Sequence, residues 1–475
     1  MEKYDLVVVG SGFGSLFFVQ RFLEKQPTAR IAIVEWGRLN DAAWQLENMR
    51  NSNIDTSLSH KQKSSEKPWV YTIGVGGGTN CWWGQALRLL PSDFEMQSKY
   101  GVLQDWPLSY NDLESYYCDV EETMLIAGSE SIAKICPRSR PFPQPPHHMS
   151  EPDRILVEAQ PDYHFPVTTA RASIASETRG RCCSSARCNL CPADAKFTAF
   201  NGMQDVMGSP QIEWITEAKV TQIIVEAGRA KGVLFQQNGE ELEVYGDLVV
   251  LGANAIQSPA ILLASGLDTP ATGKGLCEQY ACDLEVHLDG VQNFGGGSVS
   301  TGLNYLLYDG EHRSEAGAAL VNFDNHFRFG LRTNQGRWRE TMPLIINVED
   351  APEDRNRVEL TSKGEAFVRH PDVSDYAKKG MNRALKKIDD ILAPLPVEEV
   401  KFRGFRPTEA HLQCSLRMGK DPETSVVDHL GRHHTVNDLV VVGSAVFSTC
   451  PPANPSLTVA ALARRSADFI AGSKG

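Results

Sequence analysis

The sequence predicts an α/β protein organised around a dinucleotide-binding parallel sheet, and three observations carry that expectation. The chain opens with an apolar run, a glycine-rich turn, a helical apolar pattern and a second apolar run ending in an acid. It closes with another short apolar run, a Pro-rich turn and a further helical pattern. Between them lies enough chain for a second unit: 475 residues, 41% hydrophobic and 22% charged, against roughly 100 to 200 residues for a typical domain.

The opening element is the most specific. Leu6 to Val9 are continuously apolar, as a strand buried on both faces of a parallel sheet must be. Gly10, Ser11 and Gly12 break the run, and Leu16, Phe17, Val19, Phe22 and Leu23 then recur at helical spacing. Ile31 to Val34 form the next strand, and Glu35 follows it. Strand, glycine turn, helix, strand and acid are the context in which such a turn signals a dinucleotide. Gly10 permits the tight turn, Gly12 lets the backbone approach a pyrophosphate at the helix N-terminus, and Glu35 accepts hydrogen bonds from ribose hydroxyls. Ser15 holds the third position and is small enough for close helix–sheet packing. The bland alternative is an ordinary βαβ unit.

At the other end Leu439 to Val442 read as a strand, and Pro451 and Pro452 force a turn. Asn454 is expected as the N-cap and Pro455 as the first helical residue, with Leu457, Ala461, Leu462 and Phe469 on the apolar side. The helix N-terminus is positively polarised and attracts developing negative charge.

Composition excludes several classes. With 47 Lys and Arg against 59 Asp and Glu, a net charge of −12 repels a phosphate backbone, so no nucleic-acid partner is expected. No stretch approaches 18 uninterrupted apolar residues, so no membrane span is expected. With no charged leader, signal-peptide core or twin-Arg signal at its start, the chain is expected to be cytoplasmic. The 11 cysteines include Cys182, Cys183, Cys188 and Cys191 within ten residues, a crowding that suits a metal or redox site better than a disulfide framework. Structural zinc, an iron–sulfur cluster, and reduced thiols or a local disulfide compete; an iron–sulfur cluster tolerates the adjacent pair Cys182 and Cys183 better than one tetrahedral ion does.

Together the two ends resemble the glucose-methanol-choline (GMC) oxidoreductases, FAD enzymes that oxidise alcohols. Four further segments support the resemblance: Gly74 to Arg88, similar to the family's glycine-rich flavin segment; Trp106 to Glu121; Asp247 to Gly266; and His411 to Asp428, similar to its catalytic-histidine segment. The fold it implies is a Rossmann-like FAD-binding domain, from residues 1–90, 180–268 and 405–475, interleaved with an α+β substrate domain built on an antiparallel sheet, from 91–179 and 269–404. The implied FAD contacts are Gly10, Gly12, Ser15, Glu35, Gly77, Thr79, Asn80, Val220, Gly443, Ser444, Pro455 and Ser456. Val442 departs from the family pattern, which usually carries an acid there, and Gln413 stands where Gly is common.

The resemblance also places the chemistry. Oxidising an alcohol requires removing the hydroxyl proton while hydride leaves carbon for flavin N5, and a neutral imidazole is suited to take that proton. His411 holds the family's base position and Asn454, 43 residues on, the position of its partner. Locally, both have plainer readings: a lone loop histidine is usually structural, and an Asn before a helix is usually its cap. An electron-transfer subunit or a non-oxidative flavin enzyme is the alternative function. Cys81 reads as an unreactive buried thiol rather than a flavin attachment point, and the adjacent pairs His147/His148 and His433/His434 are assigned no metal. The crowded cysteines resemble the insert through which catalytic subunits of sugar and polyol dehydrogenases pass flavin electrons by a three-iron cluster. That implies an acceptor protein or quinone as partner, and opens export with a partner subunit to the periplasm as the alternative location.

Overall fold

The computed structural model describes residues 3–326 and 336–472. Five apolar segments form one parallel sheet: β1 (Leu6–Val9), β2 (Ile31–Val34), β3 (Ile212–Ile215), β4 (Val249–Leu251) and β5 (Leu439–Val441), in the spatial order β5-β4-β1-β2-β3. Register is continuous across the sheet, with Val9 opposite both Val34 and Leu251, and Leu251 opposite Val441. Every residue of β1, β2, β4 and β5 is buried, which is why these strands read as unbroken apolar runs rather than alternating ones. The edge strand β3 is only partly covered, with Ile212 buried and Glu213 exposed.

Helix α1 (Phe13–Lys25) and the C-terminal helix α2 (Ser456–Gly472) pack together over this sheet. Their solvent-side edge is held by Arg21 on Asp468, at 2.6 Å, and by Arg464 on Glu24, at 2.9 Å, so the first and last helices are fastened to one another. An antiparallel ribbon from Lys219 to Gly246 lies beside the parallel sheet and takes the short strand Lys3–Tyr4 on its edge.

A second sheet has six antiparallel strands in the order Val397–Phe405, Tyr280–Leu288, Thr341–Val348, Ala319–Asp324, Ser300–Asn304 and His164–Pro166. The helix Asp375–Leu392 covers one face of it. Its buried positions Ala377, Met381, Ala384, Ile388 and Ile391 make an apolar stripe at helical spacing against Leu284, Val286, Val321, Leu344 and Ile346. This is a core separate from the one around the parallel sheet. The parallel sheet draws on residues 6–34, 212–251 and 439–441, the antiparallel one on 164–166 and 280–405, so the α/β and antiparallel units are interleaved in sequence. Within the stretch 269–404, residues 327–335 lie outside the described residues. Among the described residues no helix is long and apolar enough to cross a membrane.

The connections at one end of the antiparallel sheet are braced by buried charge. Arg313 lies 2.9 Å from both Asp93 and Glu349, all three side chains fully buried, and Tyr308 donates to Asp93 at 2.8 Å. Burial pushes the Asp93 carboxyl up to about 6, against the pull of the Arg313 guanidinium.

Candidate active site

Two glycine turns meet at the C-terminal end of the parallel sheet. Gly10 adopts φ +81°, and a Cβ there would stand 2.8 Å from the Gly252 carbonyl oxygen, so both conformation and space demand glycine. The second turn comes from the Gly74–Gly78 run: a Cβ on Gly77 would stand 2.9 Å from Gly12 Cα. Ser11 joins the turns, accepting from the Gly76 amide at 3.1 Å and donating through its hydroxyl to Glu35 at 2.7 Å. The Glu35 carboxylate also accepts from the amides of Ser11 and Gly37, each at 3.0 Å. Burial pushes this carboxyl up, and the Gly37 and Ser11 donors oppose that shift. The group is thereby aimed before any ligand arrives. Gly12, by contrast, faces open space: a Cβ there would meet no protein atom within 4 Å. An open approach at the start of α1 beside an oriented buried acid fits the pyrophosphate and ribose of a dinucleotide.

The other expected cofactor residues divide into those at the cleft and those that build it. Gly443, φ +106°, follows β5 and abuts the start of α1, since a Cβ on Gly14 would stand 2.8 Å from the Gly443 amide nitrogen. Val220 lies two residues beyond Ala218, whose amide donates to the Glu35 carbonyl. Thr79 is fully engaged inside the turn, donating to the Gly76 carbonyl at 2.7 Å and accepting from the Ala199 amide at 3.1 Å, and the Asn80 amide donates to the Val75 carbonyl at 2.8 Å. Ser15 is buried against Gly252, where a Cβ would stand 2.2 Å from the Ser15 hydroxyl, so the structure puts Ser15 in the helix–sheet packing.

His411 and Asn454 come together: Asn454 Nδ2 lies 3.3 Å from His411 Nε2. The segment that carries His411 is tied to the residues after β5, with the Ser444 hydroxyl donating to the Leu412 carbonyl at 2.5 Å and the Cys414 amide to the Ser444 carbonyl at 3.0 Å. The expected capping role of Asn454 is not what the structure shows. Helix α2 starts at Ser456, and its first acceptor is the Pro455 carbonyl, which receives the Val459 amide at 2.9 Å. Pro455 therefore occupies the capping position rather than the first helical one, and Asn454 turns its amide to His411. The glycine-like backbone likewise falls at Cys414, φ +71°, rather than at Gln413. Burial pushes the His411 imidazole down to about 4, with Glu278 opposing, so the ring is neutral near pH 7.

Two residues at the head of the strand Tyr280–Leu288 complete the surroundings, and no motif had marked them. Glu278 is fully buried, pairs with Lys67, and accepts from the Thr408 hydroxyl at 2.8 Å and from the Glu409 amide. Burial raises its pKa, but Lys67 and these hydrogen bonds outweigh that and hold it below the usual carboxylate range. Gln279 reaches His411 Nδ1 with its Oε1 at 3.1 Å. On the antiparallel sheet, Asn347 donates to Glu409 at 2.9 Å, and Asn322 donates to Asn347 at 3.1 Å while accepting from Gln85 at 2.6 Å. Amides at strand positions carry no spacing signature, which is why only the fold reveals this polar chain.

The cysteine-rich loop docks on the Gly-rich segment. Lys196 donates to the Asn80 carbonyl at 2.6 Å, and Asn51 bridges that same carbonyl, at 3.3 Å, to the Asn189 carbonyl, at 2.6 Å. Within the loop each thiol has its own surroundings. Cys188 is buried, Cys182 faces the Ser298 hydroxyl at 3.7 Å, Cys191 accepts from the Ala195 amide at 3.3 Å, and Cys183 is exposed. Ser184 and Ala186, both left-handed at φ +50° and +55°, turn the chain between them. All 11 cysteines are free, and among the described residues no three metal-donor side chains are gathered around one point.

Comparison with known proteins agrees with this architecture. Residues 58–281 and 352–463 match the N-terminal and C-terminal family models described as GMC oxidoreductase. The chain is 25% identical to the fructose dehydrogenase large subunit of Gluconobacter japonicus, over 98% of this chain and 97% of that one. It is 24% identical to the 2-methyl-1,2-propanediol dehydrogenase of Mycolicibacterium austroafricanum, over 99% and 95%. The crystal structure of pyridoxine 4-oxidase from Mesorbium loti shares the fold, with a TM-score of 0.70 at 18% identity over 98% of this chain and 99% of that one. Because the matched segments carry both the second glycine turn and the His411–Asn454 pair, the chain belongs to the GMC oxidoreductases, the family of FAD-dependent enzymes that oxidise alcohols.

Proposed function

We propose that this enzyme oxidises a hydroxyl group of a sugar, polyol or hydroxylated natural product, with His411 as general base and Asn454 as its partner. The observation that carries the reading is the approach of Asn454 Nδ2 to His411 Nε2, 3.3 Å apart across 43 residues of sequence. A substrate oxygen seated against both atoms gives its proton to Nε2 while the Asn454 amide donates to the alkoxide character that develops. Bound FAD supplies the two-electron acceptor for the hydrogen leaving carbon. Glu35, Gly12 and the Gly74–Gly78 turn would hold its adenosine and pyrophosphate groups, and Gly443, Ser444, Pro455 and Ser456 would contribute contacts on the side of the cleft that carries His411. The substrate class rests on the relatives, which include dehydrogenases named for fructose and for a propanediol. Anaerobic addition of D-fructose, 1,2-diols, aldoses and pyridoxine to the FAD-loaded protein tests it. Bleaching of the flavin band by at least one of these is expected, and indifference to every alcohol refutes it.

The docking of the cysteine-rich loop on Asn80 favours a second reading for the electrons' onward path, through that loop to an acceptor protein or quinone. Iron and acid-labile sulfide in anaerobically purified protein would assign the thiols to a cluster. Their absence would leave the thiols uninvolved, with the acceptor meeting the flavin directly.

A further inference from the structure

We propose that Gln279 is the positioning residue that fixes the tautomer of His411, a role that rests on His411 being the base. Gln279 is buried, and its Nε2 lies 2.8 Å from the Pro451 carbonyl oxygen and 3.2 Å from that of Ala453. Carbonyl oxygens only accept, so the amide cannot be turned around without setting three oxygens against one another; the NH2 end must face Pro451 and Ala453. The opposite end, Oε1, then faces His411 Nδ1 at 3.1 Å and can only accept. Nδ1 must therefore carry the proton, which leaves the lone pair of the neutral ring on Nε2. The other side of the ring agrees, because the neighbour of Nε2 is the Asn454 amide nitrogen, a donor. The two carbonyls that fix Gln279 belong to the turn leading to Asn454, so the same side chain contacts His411 and ties down the backbone just ahead of Asn454.

The chemical consequence is specific. When a substrate O–H breaks and the N–H bond forms at Nε2, the ring becomes a cation whose Nδ1–H already has an acceptor. A neutral amide there steadies the ring without adding a charge. A carboxylate in its place would raise the imidazole pKa, and an apolar side chain would let the proton move to Nε2 and disable the base.

The test uses the FAD-loaded full chain. Nitrogen-15 NMR of histidine-labelled protein, with His411 assigned by difference against His411→Ala, is expected to show Nδ1 protonated and Nε2 bare; a protonated Nε2 overturns the proposal without any variant at position 279. For Gln279→Met, flavin reduction by whichever alcohol bleaches the wild type fastest is expected to slow roughly 10- to 100-fold with little change in KM and full FAD content. For Gln279→Glu, the acid limb of kcat/KM is expected to move up by about one pH unit or more, with activity regained at alkaline pH relative to Gln279→Met. If both variants change only thermal stability and leave the pH profile in place, Gln279 is structural. Full activity in His411→Ala would instead remove the base itself; an inactive His411→Ala beside a fully active Gln279→Met would remove only the positioning role.

Discussion

Substituting Gly12 by Ala separates cofactor binding from folding. The backbone at Gly12 is extended, φ −81° and ψ −171°, so alanine adopts it without strain, and a Cβ there meets no protein atom within 4 Å. The protein alone thus has little reason to object. Loss of chain entropy in the unfolded state favours the variant by about 0.4–1 kcal/mol, whereas alanine is the poorer residue at a helix N-cap by a similar ~0.5–1 kcal/mol, so the two nearly cancel. Thermal unfolding of the flavin-free protein should then stay within a few degrees of wild type. The open space beside Gly12 is where the pyrophosphate must approach the start of α1. Displacing one charge-assisted hydrogen bond there costs about 1.5–3 kcal/mol, which is roughly 10- to 100-fold in FAD affinity at about 1.4 kcal/mol per decade. Flavin fluorescence released on dilution measures the affinity, and thermal melting of deflavinated protein measures the fold. Undiminished FAD affinity would mean that the pyrophosphate does not lie against Gly12, and a large fall in the apo melting temperature would mean that protein atoms crowd the position. Gly14→Ala is the contrast, because its Cβ would stand 2.8 Å from the Gly443 nitrogen and should cost stability whether or not FAD is present.

Three other outcomes follow from the same geometry. His411→Ala should retain FAD and lose turnover by about 10²- to 10⁴-fold, as removal of a general base does, measured as the rate of anaerobic flavin reduction; unchanged turnover would take His411 out of the mechanism. Because burial lowers the imidazole to about 4, its base form persists down to that pH. The kcat/KM profile of the wild type should therefore stay level from neutrality and fall only on approach to pH 4, and an acid limb near 6.5 would contradict the burial argument. Arg313→Met leaves Asp93 and Glu349 buried without their cation, a loss of about 3–5 kcal/mol at pH 7, read by denaturant unfolding. The Asp93 pKa is already raised in the folded state, so its protonated form favours folding, and that contribution is complete below the unfolded value near 3.8 and lost as pH rises through about 6. The deficit of Arg313→Met should therefore shrink from pH 7 to pH 5, and a deficit independent of pH would mean that the three groups do not share charge.

What the sequence disclosed and what it withheld divide along a physical line. Burial on both faces imprints itself directly, so Leu6–Val9 and Ile31–Val34 are legible as strands to the residue, and glycine turns announce themselves because few other residues tolerate φ +81° at Gly10. The pairing of His411 with Asn454 was legible only through resemblance, since nothing local distinguishes an Asn before proline that caps a helix from one that faces away; the register of the first hydrogen bond, Val459 to Pro455, decides it. At the crowded cysteines spacing is silent, because separation along the chain carries no orientation: Cys183 is exposed while Cys188 is buried, with left-handed Ser184 and Ala186 between them. Gln279 was invisible for the opposite reason. An amide acts through whichever end its neighbours leave free, and those neighbours, Pro451, Ala453 and His411, lie more than 130 residues away. On the proposed mechanism the reacting atoms can thus be named from a motif, while the protonation state that would make Nε2 a base is set by a residue with no motif, and substitutions sought to tune the chemistry belong at position 279 rather than at the pair itself.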